Sequence, residues 1–196
     1  MKKRRALITG GAGFIGSHLA EELLKRGFYV TALDNFATCT GENICHLIKN
    51  KNFKFHKGSI MNVRLTESLI KKHDIIYHLA AAVGVKYIID NPIQSILTNV
   101  EGTEIILSLA SRYHKKVLIA SSSEIYGKHS SKLIREDDNR VLGPTNVRRW
   151  SYADAKAVDE FLALAYAFEN KLPVVILRFF NVVGPRQIGR YGMVLP

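Results

Sequence analysis

Short apolar runs alternate with stretches of helical periodicity along the whole chain. Ala6-Leu7-Ile8 is the first apolar run, and Phe14, Ile15, Leu19, Leu23 and Leu24 follow at helical spacing. Tyr29-Val30-Thr31-Ala32-Leu33 reads as a second strand, and a possible helix spans 42–49. Strands are expected at 53–57, 75–79, 117–120 and 174–177, and helices at 65–71, 93–110 and 151–169. Gly102 interrupts the 93–110 helix, and residues 126–149 are polar and loop-like. In the 151–169 helix, Val158, Phe161, Leu162, Ala165 and Phe168 are assigned to the buried side. Alternation of this kind predicts an α/β fold, a Rossmann-type doubly wound parallel sheet with helices on both faces. Ligands of such sheets bind beyond the carboxyl ends of the strands.

The first of those ends is rich in glycine. Where the first strand becomes a helix, Gly11, Gly13 and Gly16 fit G-x-G-x-x-G, and Gly10, Gly13 and Gly16 fit G-x-x-G-x-x-G. Glycine permits a tight turn, close approach of a pyrophosphate, and close packing of helix on strand. The free N–H groups and positive end of the helix then face the phosphates. The second strand ends in Asp34, at the distance where an acid accepts from a cofactor ribose. Its charge would repel a 2′-phosphate, so NAD is expected rather than NADP, and Asn35 adds no positive charge to reverse that.

Composition narrows the classes. Apolar residues make up 47% of 196, enough for one globular domain with a sizeable core. No apolar run has membrane-spanning length. The basic start, Met1 to Arg5, leads directly into the first strand without room for a signal peptide, which predicts a cytoplasmic protein. Cys39 and Cys45 match no zinc spacing, and no metal is expected. The net charge of +11 comes from scattered lysines and arginines with no recognition helix among them, so nucleic acid is not the expected partner.

The fifth strand runs into Ser121-Ser122-Ser123-Glu124, placing hydroxyls and a carboxylate at the ligand-facing edge. The next helix opens with Tyr152-Ala-Asp-Ala-Lys156, whose tyrosine and lysine leave one helix face. An ammonium beside a phenol favours the phenolate, so Tyr152 is suited to take a proton from a substrate hydroxyl.

Together these segments resemble the amino-terminal portion of an extended short-chain dehydrogenase/reductase, of the NAD-dependent nucleotide-sugar epimerase/dehydratase family. The resemblance is carried by residues 9–19, Leu33-Asp34-Asn35, His78-Leu-Ala-Ala-Ala82, 98–103, 121–127, Tyr152-x-x-x-Lys156 and 178–186. It implies a catalytic set of Ser122, Glu124, Tyr152 and Lys156. Ser122 would bond the sugar 4-hydroxyl, Tyr152 would be the base, and Lys156 would hold the nicotinamide ribose. NAD would lie on Gly10, Gly13, Phe14, Ile15, Gly16, Asp34 and Asn35. Further along it would meet Ser59, Ile60, Leu79, Ala80, Ala81 and Asn99, then Tyr152 and Lys156. The nucleotide-sugar substrate, a UDP-sugar by preference, would meet Val83, Ser122, Ser123, Glu124, Asn181 and Arg186. Ser59 replaces the family's usual Asp and would accept more weakly from the adenine amino group. His78 is read as a core histidine.

The implied reaction is oxidation of the sugar at C4 to a 4-keto intermediate, with 4-epimerisation as the leading outcome. UDP-glucuronate decarboxylation and 4,6-dehydration are the alternatives; Glu124, often found in dehydratases and decarboxylases of this group, favours them, whereas the run 183–192 resembles chains commonly called epimerases. A silent NAD-binding fragment is a further alternative. Residues 1–180 would form the NAD-binding domain and 181–196 the start of a truncated substrate region. The family also implies a possible homodimer through the helices at 93–110 and 151–169, but their outward faces are not read as apolar enough to carry one.

Overall fold

Six strands and five helices, described over residues 3–128 and 133–188 of a computed structural model, form a wound sheet. The strands are β1 (Arg5–Thr9), β2 (Tyr29–Asp34), β3 (Phe53–Lys57), β4 (Ile75–His78), β5 (Lys116–Ser122) and β6 (Val174–Phe179). Their order is β3-β2-β1-β4-β5-β6, and every pairing is parallel. The helices are α1 (Phe14–Lys25), α2 (Val63–Ile70), α3 (Val85–Asp90), α4 (Pro92–Arg112) and α5 (Trp150–Asn170).

Period-two alternation on the central strands feeds two cores. Leu7 of β1 joins Leu33, Ile76, Ile106 and Ile119 on one face of the sheet. Ala6 and Ile8 turn to the other face and join Val30, Ala32 and Phe53 under α1. Each fully buried Leu or Ile contributes roughly 1.5–3 kcal/mol of transfer free energy. The strand order reverses direction between β1 and β4, which opens a crevice at their carboxyl ends.

Local signals set the helix ends. The Asn62 side chain accepts from the Leu65 amide at the start of α2. Pro92 occupies the first turn of α4, where its missing N–H costs nothing. Gly102 does not interrupt α4. A side chain there would meet Ile60 Cδ1 at 2.5 Å, so glycine lets the helix lie against the segment after β3. The predicted helix at 42–49 is a 3-10 turn over Glu42–Leu47, and α3, too short to show a period, was not expected. None of the described helices is long and apolar enough to cross a membrane.

One expectation about α5 is overturned. Its buried residues are mostly small or charged: Ala153, Ala155, Lys156, Ala157, Asp159, Glu160 and Ala163. Val158, Phe161, Ala165 and Phe168 face outward, Phe161 at 64% and Phe168 at 78% exposure, while Leu162 is the one that packs on the core. Leu164 extends this outward face, and Ile93 and Leu97 are likewise exposed on α4. The outer surface of the pair is therefore considerably more apolar than the sequence pattern suggested.

Candidate active site

A cavity of about 600 Å³ lies beyond the carboxyl ends of β1, β2, β4, β5 and β6. Its first wall is the glycine turn. Gly10 has φ +69, and a Cβ on it would come within 2.8 Å of the Ala80 amide nitrogen. A Cβ on Gly16 would come 2.2 Å from the Gly10 carbonyl, which is impossible without unfolding the turn. Gly13 is less crowded: a Cβ there would meet only the Gly10 carbonyl, at 3.3 Å. Gly13 caps α1 without a side-chain bond, leaving the first amides of the helix turned to the cavity. Phe14 and Ile15 line the same end. A backbone cradle of this kind, built on glycine and uncapped, fits the pyrophosphate of a dinucleotide.

Asp34 and Asn35 line the wall beside the turn. The Asp34 carboxylate accepts from the amides of Ala12 at 3.0 Å and Phe36 at 2.9 Å, so it braces the glycine turn as well as facing the cavity. The Cys39 thiol approaches the same carboxylate, and burial followed by that negative charge pushes it up to about 11. Ser59 and Ile60 line the wall beyond β3, where the Ser59 hydroxyl also accepts from the Met61 amide at 3.2 Å. Leu79, Ala80, Ala81 and Val83 form the lip after β4.

Asn99, expected either against the cofactor or as a satisfied buried amide, is buried on α4 and is not among the residues lining the cavity. Its amide is spent on the Ala82 backbone, accepting from the N–H at 2.7 Å and donating to the carbonyl at 3.2 Å. Asn99 thus shapes the lip from behind. Arg186 lines the cavity but is committed to α1, where its guanidinium pairs with Glu21 and donates to the Ser17 hydroxyl at 3.3 Å. Asn181 lies on the cavity wall after β6. The remaining part of the run that resembled epimerases, from residue 189 onward, lies outside the described residues.

The reactive end is built by β5 and α5. Ser122, Tyr152 and Lys156 all open onto the cavity. Burial pushes the Tyr152 phenol above its ordinary value, the Lys156 ammonium pulls it down, and the Ser122 hydroxyl adds to that pull. Ser123 and Glu124 form a 3-10 turn beside Ser122, whose hydroxyl accepts from the Glu124 amide at 3.2 Å, and neither lies on the cavity wall itself. Burial raises the Glu124 carboxyl, against the pull of Arg149, whose guanidinium stands 4.0 Å away. That arginine sits at the amino-terminal end of α5, where the helix dipole disfavours a cation.

Below the cavity runs a polar row that the motif reading did not assemble. Lys156 donates to Asp159 at 3.0 Å inside the fold. The His78 ring bonds Thr9 through Nδ1 at 2.8 Å and Thr103 through Nε2 at 3.1 Å. Burial, with Lys156 second, pushes the imidazole down to about 3, so it is neutral. The core reading of His78 agrees with this placement. Asp159 carried no motif signal, because an isolated acid inside a helical pattern looks like an ordinary surface residue, and Thr9 was read only as the start of the glycine-rich stretch.

A glycine-rich turn, a Tyr-x-x-x-Lys pair and a parallel sheet meeting at one cavity define an extended short-chain dehydrogenase/reductase. Residues 7–193 match the GDP-mannose 4,6-dehydratase family, and the chain belongs to it. It is 47% identical over 195 residues to a UDP-N-acetyl-α-D-glucosaminuronate decarboxylase of Bacillus cytotoxicus, covering 99% of this chain and 60% of that protein. It is 37% identical to UDP-glucuronic acid decarboxylase 1 of Xenopus tropicalis, covering 98% of this chain and 44% of that one. Among solved structures, the UDP-N-acetylglucosamine 4-epimerase of Methanobrevibacter ruminantium, in complex with UDP-N-acetylmuramic acid, superimposes with a TM-score of 0.88 at 30% identity. That match covers 98% of this chain and 59% of the epimerase. The UDP-glucuronic acid 4-epimerase of Bacillus cereus, in complex with UDP-glucuronic acid and NAD, superimposes with a TM-score of 0.84 at 33% identity, covering 93% of this chain and 58% of that one.

Proposed function

We propose that the chain is the dinucleotide-binding part of an NAD-dependent enzyme that oxidises a UDP-sugar at C4 and then decarboxylates it. The observation that carries the reading is the opening of Tyr152 and Lys156 onto the same cavity as the uncapped glycine turn. The turn at Gly10, Gly13 and Gly16 would hold the pyrophosphate, and Asp34 would accept from the adenosine ribose, favouring NAD over NADP. Bound NAD supplies a hydride acceptor beside the sugar carbon. The Tyr152 phenolate, steadied by the Lys156 ammonium, takes the proton of the 4-hydroxyl and becomes the neutral phenol, and Ser122 orients the hydroxyl.

The ketone so formed sets the next step. If C5 carries a carboxylate, the C–C bond electrons pass toward the ketone as carbon dioxide departs, and C5 then needs a proton. Glu124 supports this outcome, since partial burial raises its carboxyl and Arg149 beside it suits a carboxylate substrate. The Bacillus cytotoxicus relative, named as a decarboxylase of a UDP-uronate, supports it as well. Epimerisation at C4 is the second reading, favoured by the solved structures that carry that name.

The test is direct. The protein is incubated with NAD and, separately, UDP-N-acetylglucosaminuronate, UDP-glucuronate and UDP-glucose, and products are identified by mass. Loss of carbon dioxide from a uronate is expected; an isomer of unchanged mass would replace decarboxylation by epimerisation, and loss of water by dehydration. Tyr152→Phe should lower turnover by about 10²–10⁴-fold and leave NAD binding intact. Full turnover in that variant would remove Tyr152 from the reaction.

We also infer that a second copy of the chain pairs on the outward face of α5. Val158, Phe161, Leu164 and Phe168 form an exposed apolar strip of the kind that monomers rarely leave in water.

A further inference from the structure

One helical turn beyond Lys156, α5 buries a carboxylate that the proposed reaction does not call for. The Lys156 and Asp159 side chains are 3% and 0% exposed, and Nζ donates to Oδ2 at 3.0 Å. Among the described residues no donor reaches Oδ1 at good hydrogen-bond geometry, although the Thr103 hydroxyl of α4 stands beside the carboxyl. Burying both charges is costly and gives little net stability over an apolar pair. The pairing has an evident use elsewhere, because Lys156 is the cation that acts on Tyr152.

The other groups around the pair leave that task to Asp159. From β4, His78 is neutral and brings no charge. On α5 itself, Glu160 is engaged by Arg178 of β6, which donates to it from Nη2 at 2.7 Å. Glu124, from the turn after β5, acts on Tyr152 but faces Arg149. We propose that Asp159 is a positioning residue: its carboxyl group holds the Lys156 Nζ fixed at the floor of the cavity, and through it sets how readily Tyr152 releases its proton. This rests on the role proposed for Tyr152.

Asp159 acts on the phenol in two opposed ways. Its own negative charge disfavours the phenolate, whereas the ammonium it holds favours it. Of the two, Lys156 acts on Tyr152 more strongly than Asp159 does. An ammonium left in the interior without a counter-charge favours its neutral form. Replacing Asp159 by Asn therefore withdraws the larger influence along with the smaller one, and the phenol becomes harder to ionise.

The Lys156 side chain reports this directly by ¹⁵N NMR, since the Nζ shift distinguishes ammonium from amine; the signal is assigned by its disappearance in Lys156→Met. In Asp159→Asn the Lys156 midpoint should fall by one pH unit or more, and Asp159→Glu should restore it. The acid limb of kcat/KM should move to higher pH in Asp159→Asn, which a merely structural lesion would not cause. A Lys156 midpoint that is unmoved or raised overturns the proposal. If the Asn variant does not fold, the unsubstituted chain decides: on acidification, the Asp159 carboxyl carbon and Lys156 Nζ must respond with one shared midpoint, and independent responses overturn it. Turnover persisting in Tyr152→Phe would defeat the catalytic reading while leaving the lysine titration as it is, so the two failures are distinct.

Discussion

The buried imidazole of His78 should make the fold lose stability in mild acid, by an amount set by how far its proton affinity is displaced. In the unfolded chain a histidine takes up a proton near pH 6.5, whereas in the fold His78 does so only at about 3. Between those values the unfolded state binds a proton that the folded state refuses, so stability falls as the pH falls. The slope approaches about 1.4 kcal/mol per pH unit, and the loss between pH 7 and pH 5 comes to roughly 2 kcal/mol. That is a sizeable share of the roughly 5–15 kcal/mol typical of a domain. The assay is urea unfolding followed by circular dichroism at pH 7, 6 and 5, for the chain and for His78→Gln. The glutamine variant will start less stable, since it disturbs bonds to Thr9 and Thr103. Its pH slope, however, should be shallower by about 2 kcal/mol over the same interval. Comparing slopes cancels the contribution of His73, which burial also pushes down and which both proteins retain. Equal slopes would show that His78 is not buried in its neutral form, and the polar row below the cavity would have to be redrawn.

Three further outcomes are expected. Gly16→Ala should abolish NAD binding measured by calorimetry and lower the melting temperature, since its Cβ would lie 2.2 Å from the Gly10 carbonyl. Asn99→Ala strips both hydrogen bonds from the Ala82 backbone and should cost about 1–3 kcal/mol in urea unfolding, with weaker NAD binding because the lip after β4 is released. The double substitution Phe161→Glu, Phe168→Glu should leave the fold intact and convert a dimer to a monomer by sedimentation; an unchanged oligomer would place the pairing surface elsewhere.

The wound sheet was legible because its signals are local. Each strand is a short apolar run, and the glycine turn marks the first crossover without reference to anything distant. The cavity is where the rule that ligands meet the strand ends puts it, and that rule brought Ser122, Tyr152 and Lys156 to one place. Reading the faces of α5 failed for a physical reason. Large apolar residues usually seek the interior, so Phe161 and Phe168 were assigned inward, but the helix packs closely against β5 and α4, where alanines fit and phenylalanines do not. A single chain also cannot distinguish an apolar strip meant for its own core from one meant for another molecule. The two readings of Asn99 could not be separated in the sequence, because its backbone partner at Ala82 emerges only once α4 is folded against the lip. Asp159 was invisible for a related reason: its meaning depends on burial, and α5 buries a face that pattern alone assigns to solvent.

Asp34 illustrates how closely recognition and architecture are fused here. The carboxylate proposed to choose between cofactors also receives the Ala12 amide at 3.0 Å and so tethers the second strand to the glycine turn. An engineer wishing to swap NAD for its phosphorylated counterpart could not simply install a cation at this position, because the glycine turn would lose the acceptor of its Ala12 amide in the same stroke. A successful redesign has to provide a replacement acceptor for Ala12 before altering the preference, and the order in which those two changes are made should decide whether the intermediate protein binds any dinucleotide.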